Sequence, residues 1–410
     1  MNIWKRNLIV CWFGTFVTMI GLSQLAPILP IYIKDLGINN VNLIEQLSGI
    51  AFGVTYIISG IFSPIWGKLA DKYGRKPMLL RASLGMAIVV LLMGFVHNVY
   101  VLIGLRLLQG TISGYSTACT TLIATQTDKE HAGTALGTLS TAGVAGSLLG
   151  PMFGGYLEGV VGVRSVFFVI GSLLSVVFIL TIFFVKEDFH PIEDHTLKFK
   201  EVWNKIPNKQ LVIAMFVTTF MLQLAFYSIE PIITVYVTSL SKNISNVAFV
   251  AGMVFSASGF ANILAARKLG KLSDNIGAHK VMLVALIFAG VVFIPQAFVK
   301  NPWQLMGLRF VLGLSAAGLN PSINTIIKKI TPDEIVGRTF GFNMTAQYFG
   351  TFSGSILGGQ IASHFGIKYI FFITSALLLL NALWVYNLVY KKIQAKNRLK
   401  ILQNCSKLNK

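Results

Sequence analysis

One carboxylic acid lies deep within a long apolar stretch of the chain. Glu230 follows the segment LAFYSI and precedes Pro231 and further apolar residues. On a helix, four other polar residues share its face within an arc of about 80° at 100° per residue: Thr219, Gln223, Tyr227 and Thr234. A carboxylate without water is more easily protonated, so an acid here could bind and release protons beside a polar cavity. A structural carboxyl hydrogen-bonded to a neighbouring helix would fit the same pattern.

Two arginines occupy equivalent positions in other apolar stretches, Arg106 and Arg309. Each shares a helical face with further polar residues: Gln109 and Ser113 in the first stretch, Asn320 and Asn324 in the second. A guanidinium stays charged and needs acceptors or water, so both are predicted to point inward or toward the ends of their helices. Together with the face around Glu230, these residues predict a substrate cavity. For Arg309, packing against carbonyl groups or reaching the membrane surface is an equal alternative.

The elements that position these residues follow from composition. The chain of 410 residues is 54% hydrophobic and only 12% charged, with a mean hydropathy of +0.69. A bilayer core of about 30 Å needs roughly 20 apolar residues per helix, and the sequence contains twelve such runs. Backbone polar groups in lipid must be satisfied within each segment, so these runs are predicted to be helices. The short alternating stretches of a membrane β-barrel are not seen.

Charge placement predicts the orientation of the chain. Of its 34 Lys and Arg residues, 27 fall on one predicted membrane face, five fall on the other and two lie within apolar runs. This bias is the positive-inside pattern, so both termini are predicted to be cytoplasmic in a multi-pass cell-membrane protein. The net charge of +19 therefore indicates a membrane orientation, and the basic tail indicates a solvated end near anionic lipid. No nucleic-acid partner is expected.

The chain also repeats itself at an offset of 203–204 residues. Three segments of the first half return in the second: GKLADKYGRKPML as GKLSDNIGAHKVML, GLRLLQGTISG as GLRFVLGLSAAG, and GTALGTLSTAGVAGSLLGPMFGG as GRTFGFNMTAQYFGTFSGSILGG. Each half therefore holds six spans in parallel topology. The predicted organisation has four parts: a six-helix bundle at 1–185, a cytoplasmic connector at 186–209, a second bundle at 210–390 and a basic tail at 391–410.

These motifs resemble the major facilitator superfamily over nearly the whole chain. GKLADKYGRKPML is similar to the family's loop signature between spans 2 and 3, and LIGLRLLQGTISG to its span-4 signature. GVAGSLLGPMFGG in span 5 resembles the antiporter branch, and PILPIY in span 1 resembles the twelve-span drug:proton antiporters. The resemblance implies two pseudo-symmetric six-helix bundles. It also implies that Arg106 matches an arginine implicated in proton coupling.

The loop motif predicts a gate. Its residues, together with an acid of the second copy, are Gly67, Asp71, Gly74, Arg75, Lys76 and Asp274. The two glycines permit a tight turn and close helix approach, and Asp71 can pair with Arg75 or with the positive N-terminus of a facing helix. Contacts that form only when the cytoplasmic ends of the halves are close would bias alternating access. A plain topology anchor is the alternative.

The span-5 motif predicts a seam of small residues. Its members are Gly146, Gly150, Pro151, Gly154 and Gly155, and a matching glycine face occurs in span 11 at Gly350, Gly354 and Gly358. Small residues let helices approach closely, so these faces are predicted to form a smooth surface on which two bundles rock. Pro151 is expected to bend its helix.

The function predicted from these features is proton-coupled efflux of amphiphilic drugs or toxic compounds, without covalent chemistry. No GxxxxGK[ST] segment occurs that would indicate ATP hydrolysis, and the three cysteines have no metal-ligand spacing. No metal or cofactor is expected, and a monomer is. The expected partners are protons, a small-molecule substrate and the lipid bilayer. A dedicated transporter of a sugar or other metabolite, and a non-transporting membrane receptor, are the alternatives.

Overall fold

The computed structural model describes residues 2–189, 199–240, 246–332 and 335–391. Parts of the predicted connector (190–198) and of the predicted tail (392–410) lie outside the described residues. Within them the chain forms sixteen α-helices and no strand: α1 Ile3–Ser23, α2 Leu25–Asp35, α3 Val41–Tyr73, α4 Arg75–Gly94, α5 Val99–Ile112, α6 Tyr115–Gln126, α7 Lys129–Val161, α8 Val163–Phe184, α9 Phe199–Lys205, α10 Lys209–Tyr227, α11 Ile233–Leu240, α12 Val247–Ile276, α13 Ala278–Gln296, α14 Pro302–Ile330, α15 Val336–Phe365 and α16 Ile367–Val385.

Three of the long apolar runs are interrupted helices. The first breaks at Gln24, between α1 and α2, and another breaks at Ser113 and Gly114, between α5 and α6. The run around Glu230 leaves α10 and passes through a 3-10 turn, Glu230–Ile232, before α11. Pro231 in this turn lacks the N–H that an uninterrupted helix needs. With each interrupted run counted once, and α9 set aside, the described chain has twelve long helical segments.

Nine of the described segments are long and apolar enough to cross a membrane on their own composition. The other three are the interrupted pair α5–α6 and the helices α7 and α15, which are rich in glycine, serine and threonine. The prediction of an all-helical membrane protein is confirmed.

Glycines with positive φ mark several tight turns of the bundle. Gly74 (φ 96°) and Gly277 (φ 100°) lie at one end, which we call the Gly74 end. Gly37 (φ 94°), Gly162 (φ 80°) and Gly366 (φ 98°) lie at the opposite end, which we call the Gly37 end. Side chains with a Cβ rarely adopt these φ values, so glycine is required at each turn.

Two hydrophobic cores organise the structure. One is built from residues of α1–α8, which we call the first half, and the other from residues of α10–α16, which we call the second half. The short helix α9 belongs to a small separate cluster, in which Val202 and Ile206 pack with Val212 and Ile335. The later part of the connector therefore packs on the second half.

The most extensive contacts between the two halves are made by two helix pairs, α3 with α15 and α7 with α12. Their backbones approach closely at glycines: a Cβ added to Gly49 would collide with the Ser355 carbonyl, and one added to Gly252 would collide with the Pro151 carbonyl. Near the Gly37 end, the amide of Gln46 also donates to Ser363 Oγ at 2.9 Å. These contacts close the structure at the Gly37 end.

Toward the Gly74 end the same helices separate. A Cβ added to Gly67 of α3, to Gly133 or Gly137 of α7, or to Gly337 or Gly341 of α15 would meet no atom within 4 Å. The helices that pack backbone to backbone near one end therefore have open space near the other, and the interior is open at the Gly74 end.

Candidate functional site

The turn that carries Glu230 lies where the two halves meet. This turn contacts α2 and α3 of the first half and α15 of the second. Glu230 is half-buried, and its Oε2 atom is shielded from solvent and has no hydrogen-bond partner. Arg309 of α14 is near enough to act on this carboxyl electrostatically, but the two form no ion pair within 4 Å. A carboxyl in this setting has unused capacity to bind a proton or a ligand.

Aromatic rings connect this turn to the first half. Tyr56 and Phe52 of α3 pack on Tyr227 of α10, with ring centroids 5.9 and 6.1 Å apart. Tyr227 is close enough to Glu230 to interact electrostatically, and Tyr56 is close enough to interact with both Glu230 and Arg106. The two predicted charged centres are therefore bridged by tyrosines from opposite halves.

Arg106 is buried, with 1% of its surface exposed, and its donors are used. Its Nε donates to the Ala51 carbonyl at 2.9 Å, Nη2 donates to the Phe52 carbonyl at 3.4 Å, and Nη1 donates to Gln109 Oε1. Thr55 Oγ1 in turn donates to the Arg106 carbonyl at 2.9 Å. The guanidinium thus fastens α5 to α3, and backbone carbonyls supply the acceptors that its charge requires.

Arg309, the equivalent residue of the second half, has a different environment. It is also buried (3% exposed), but its Nε and Nη2 atoms have no acceptor. Asn320 and Asn324, nearer the Gly74 end of α14, are exposed. The polar face of α14 therefore extends from the buried Arg309, which forms no ion pair, to the exposed asparagines near the open Gly74 end.

The remaining predicted cavity residues are distributed along the same interior. Gln223 lies against α15, where a Cβ at Gly350 would come within 2.9 Å of its β-carbon. Ser113 donates to Ser59 Oγ at 2.8 Å, at the break between α5 and α6. Thr234 does not face the opening, because its hydroxyl donates to the Pro27 carbonyl at 2.7 Å and joins α11 to α2.

Ion pairs and hydrogen bonds of charged side chains hold the predicted gating loop in place. Asp71 and Arg75 form an ion pair at 2.5 Å, and Gly74 makes the turn between them. Lys76 donates from Nζ to the Ile182 carbonyl at 3.0 Å. Gly67, however, lies within α3 and approaches nothing closely, so the expectation that it shapes the turn is not met in this conformation. The side chain of Asp274 lies outside what the structure describes.

Sequence reasoning missed the acid that completes this loop. Glu187, just after α8, accepts from the backbone N–H groups of Arg75 and Lys76, each at 2.7 Å. It thereby satisfies two of the free N–H groups at the start of α4. The available signal was a lone pair of acids, Glu187 and Asp188, directly after an apolar span.

The glycine faces also pack differently from expectation. Gly146, Gly150 and Gly154 of α7 contact Phe16, Ser23 and Gln24, which belong to the same half, and Gly350, Gly354 and Gly358 of α15 contact α10 and Ser228. The contact between halves instead involves Gly155, against the Ala248 carbonyl. The surface predicted to let the bundles rock is mostly a seam within each bundle. Pro151 is accommodated within an uninterrupted α7.

A second buried acid was also missed. Glu45, in the second turn of α3, is 3% exposed, and its backbone lies against Gly359 of α15 at the closed end. Glu230 is therefore not the only acid that the fold shields from solvent among the described residues. Glu45 is only the fifth residue of its helix, so its position in the sequence does not indicate an interior location.

The paired bundles and their repeated motifs identify the family. The family model described as Major Facilitator Superfamily matches residues 11–266 and 215–402. The chain belongs to the major facilitator superfamily. It is a multi-pass membrane transporter of small molecules, of a superfamily that works without enzymatic chemistry.

Curated relatives of this superfamily member cover almost its full length. The multidrug resistance protein MdtG of Salmonella paratyphi C (strain RKS4594) is 44% identical over 385 residues, which are 94% of this chain and 95% of the relative. MdtG of Salmonella arizonae (strain ATCC BAA-731 / CDC346-86 / RSK2980) is 43% identical over 390 residues, 95% of this chain and 96% of the relative.

Solved structures share the fold at low sequence identity. A bacterial homologue of the human lysosomal transporter Spinster, in an inward-facing and unoccupied conformation, has a TM-score of 0.74 at 13% identity, covering 94% of this chain and 97% of that one. The human organic anion transporter MFSD10 has a TM-score of 0.70 at 15% identity, covering 94% and 100%. These similarities establish the architecture.

Proposed function

We propose that this transporter exports amphiphilic drugs or toxic compounds in exchange for protons, with Glu230 as the proton-binding residue. The names of its full-length relatives support the choice of substrates. The observation that carries the coupling is the Glu230 carboxyl, which lies at the junction of the two halves with a shielded, unbonded oxygen.

The proposed cycle uses the contacts around this carboxyl. A protonated Glu230 is neutral and can be enclosed between the halves at little cost, whereas the carboxylate favours water or a cation. Substrate and proton would therefore occupy the junction in turn. The available driving force is about 2.3 kcal/mol per charge per 100 mV, plus about 1.4 kcal/mol per unit of pH difference.

We assign the Gly74 end to the cytoplasm, because the basic residues concentrate there and both termini would then be cytoplasmic. In that orientation the structure is open to the cytoplasm and closed outward. Residues 1–185 and 210–390 would move as two units, and the Asp71–Arg75 pair would belong to the gate that closes the cytoplasmic end.

The substrate would bind in the interior on the open side of the junction. Tyr227 and Gln223 on α10 offer a ring and an amide, and Asn320 and Asn324 on α14 are exposed toward the opening. An amphiphile could place its apolar part on Tyr56 and Tyr227, where the rings of the two halves meet.

The substitution Glu230→Gln tests this proposal. Gln keeps the shape of the side chain but cannot release a proton, so everted vesicles should lose proton-driven accumulation of a fluorescent amphiphile while the variant folds normally. Glu130→Gln is the control, because Glu130 is an exposed acid in the first turn of α7. Normal proton-coupled uptake by Glu230→Gln would contradict the proposal, and flux of a single metabolite in place of varied amphiphiles would contradict drug export.

A further inference from the structure

A cavity of about 230 Å³ lies in the first half toward the Gly74 end, between α3, α4 and α6. We call it the Arg81 cavity. Four of the residues that line it carry hydroxyl groups, namely Ser59, Ser63, Thr117 and Thr121, and Trp66 and Tyr348 add aromatic surface. Its volume is far above what one water needs, so it can hold part of an organic molecule. It is separate from the turn that carries Glu230, which does not line it.

Arg81 contributes a positive charge to this cavity and forms no ion pair with any described carboxylate. Its Nη2 donates to the Ser113 carbonyl at 3.0 Å, and its guanidinium carbon lies 3.5 Å from the centroid of the Trp66 ring. The Nε and Nη1 atoms are buried and have no acceptor. Asp71 also lines the cavity, but it is paired with Arg75. Arg81 therefore carries a positive charge and has hydrogen-bond donors without acceptors, and it has no acceptor atoms of its own.

The ring beside Arg81 is held in place by its own hydrogen bond. Trp66 Nε1 donates to the Thr111 carbonyl at 2.6 Å, which keeps the indole face against the guanidinium. The geometry of the cation is thus fixed before any ligand arrives, and a bound anion would pay little ordering cost.

The break between α5 and α6 adds positive potential to the same wall. Ser113 follows the last residue of α5, and Gly114, with φ 119°, precedes the first residue of α6; no side chain caps the start of α6. Gly114, Thr117 and Ala118 all line the cavity. The free N–H groups and positive dipole end of this twelve-residue helix therefore lie beside the arginine.

We propose that the Arg81 cavity binds the anionic group, a carboxylate or a phosphate, of an amphiphilic molecule. An anion would offset the unpaired charge of Arg81, whereas a cation would be repelled and a neutral ligand would leave that charge without a counterion. The aromatic walls receive the apolar part. Tyr348 comes from α15, and its ring packs against Gly60 of α3, so the shape of the site depends on how the two halves are arranged.

The test is equilibrium binding to the purified full-length protein in a neutral detergent, without any proton gradient. Octanoate is the probe, and octanol is its uncharged match. Octanoate should bind, and Arg81→Gln should weaken its binding at least tenfold while leaving octanol unchanged. Lys72→Gln is the matched control, because it removes an exposed positive charge at the same end but does not line the cavity; it should bind octanoate as the unmodified chain does.

Two further variants separate binding from folding. Arg81→Lys should retain part of the octanoate affinity, and Ser63→Ala combined with Thr117→Val should lower that affinity while leaving Arg81 in place. Displacement of octanoate by dioctanoyl phosphatidylglycerol, but not by dioctanoyl phosphatidylcholine, would assign the anion to a lipid; no displacement by either would assign it to a soluble compound.

If Arg81→Gln folds, an octanoate affinity equal to that of the unmodified chain would overturn the proposal. If Arg81→Gln does not fold, equal octanoate affinity in the unmodified chain and in the Ser63→Ala, Thr117→Val double variant would overturn it. This binding does not depend on proton coupling, so failure here leaves the role of Glu230 intact, and failure of the Glu230 test leaves this site intact.

Discussion

Buried charges in this transporter are stabilised by very different partners. Arg106 donates hydrogen bonds to carbonyl groups of α3, whereas two buried nitrogen atoms of Arg309 have no hydrogen-bond acceptor. The sequence repeat predicts equivalent positions for both, but it cannot predict which guanidinium finds carbonyl groups, because that depends on how closely a neighbouring helix approaches. Gly110, four residues after Arg106, permits this approach, since a Cβ there would come within 2.6 Å of the Thr55 carbonyl.

This difference predicts unequal effects of lysine at the two sites. Arg106→Lys should lower the free energy of unfolding by about 2 kcal/mol, because a point charge cannot replace three fixed hydrogen bonds. Arg309→Lys should cost less than half as much, since the lost donors are already unpaired. Denaturant unfolding in detergent measures both variants. Equal losses would contradict the structural role of Arg106 and would favour a role confined to coupling.

The partners of Glu187 could not have been identified from local sequence, because they lie 111 and 112 residues earlier in the chain. Glu187→Gln keeps one acceptor oxygen but loses the charge at the start of α4, so it should lower the free energy of unfolding by about 1 kcal/mol. The exposed Glu130→Gln serves as the reference in the same unfolding assay. If Glu187→Gln is as stable as this reference, water can hydrogen-bond the N–H groups at the start of α4 as well as the carboxylate does.

At the scale of helices, one interruption coincides with a proline and another with a glycine. Pro231 lies in the 3-10 turn between α10 and α11. The break at Ser113 and Gly114 was not predicted, because a glycine within an apolar run is compatible with a continuous helix until packing forces a positive φ. The glycine faces of α7 and α15 were recognised, but their partners were not, since small residues indicate close approach without indicating the helix that approaches.

A pair of alanine substitutions in α3 tests how the halves meet. Gly49→Ala would place a methyl group against the Ser355 carbonyl and should destabilise this closed contact by about 1–3 kcal/mol. Gly67→Ala meets no atom here and should be neutral, or stabilising by about 0.5–1 kcal/mol. Spin-label distances between α3 and α15 at the Gly37 end report the populations of the two states.

The Gly67 variant also tests the predicted gate. A transport defect in Gly67→Ala, with the stability of this conformation unchanged, would show that Gly67 packs closely only when the Gly74 end closes. Full transport by Gly67→Ala, together with a normal distance distribution in Gly49→Ala, would show that neither glycine governs the approach of the halves.

For the molecule as a whole, the sequence predicts the fold class, the internal repeat and the motif positions, and the family is confirmed. It does not predict which end is closed, because the proposed transport cycle requires one sequence to stabilise both arrangements. The closed Gly37 end is visible only through contacts such as Thr234 with Pro27 and Gln46 with Ser363.

A reversible cross-link can test whether this closed end must open during transport. An added Cβ at Gly53 would lie 3.3 Å from that of Ser355, near the range of about 3.5–4.5 Å found in disulfides. Gly53→Cys with Ser355→Cys, with the three native cysteines replaced by serine, should form a disulfide that stops transport until a reductant is added. Each single cysteine variant is the control. Undiminished transport in the fully oxidised protein would rule out opening between α3 and α15.

The connector is attached to both bundles, and each attachment is local. Glu187 holds its beginning to α4, while Val202 and Ile206 hold its later part to Val212 and Ile335. A break in the polypeptide between positions 190 and 198 would leave each of these described interactions inside a single fragment. Two separately translated fragments would thus keep the surfaces through which they associate. The intact backbone ensures that the two halves are produced in equal numbers.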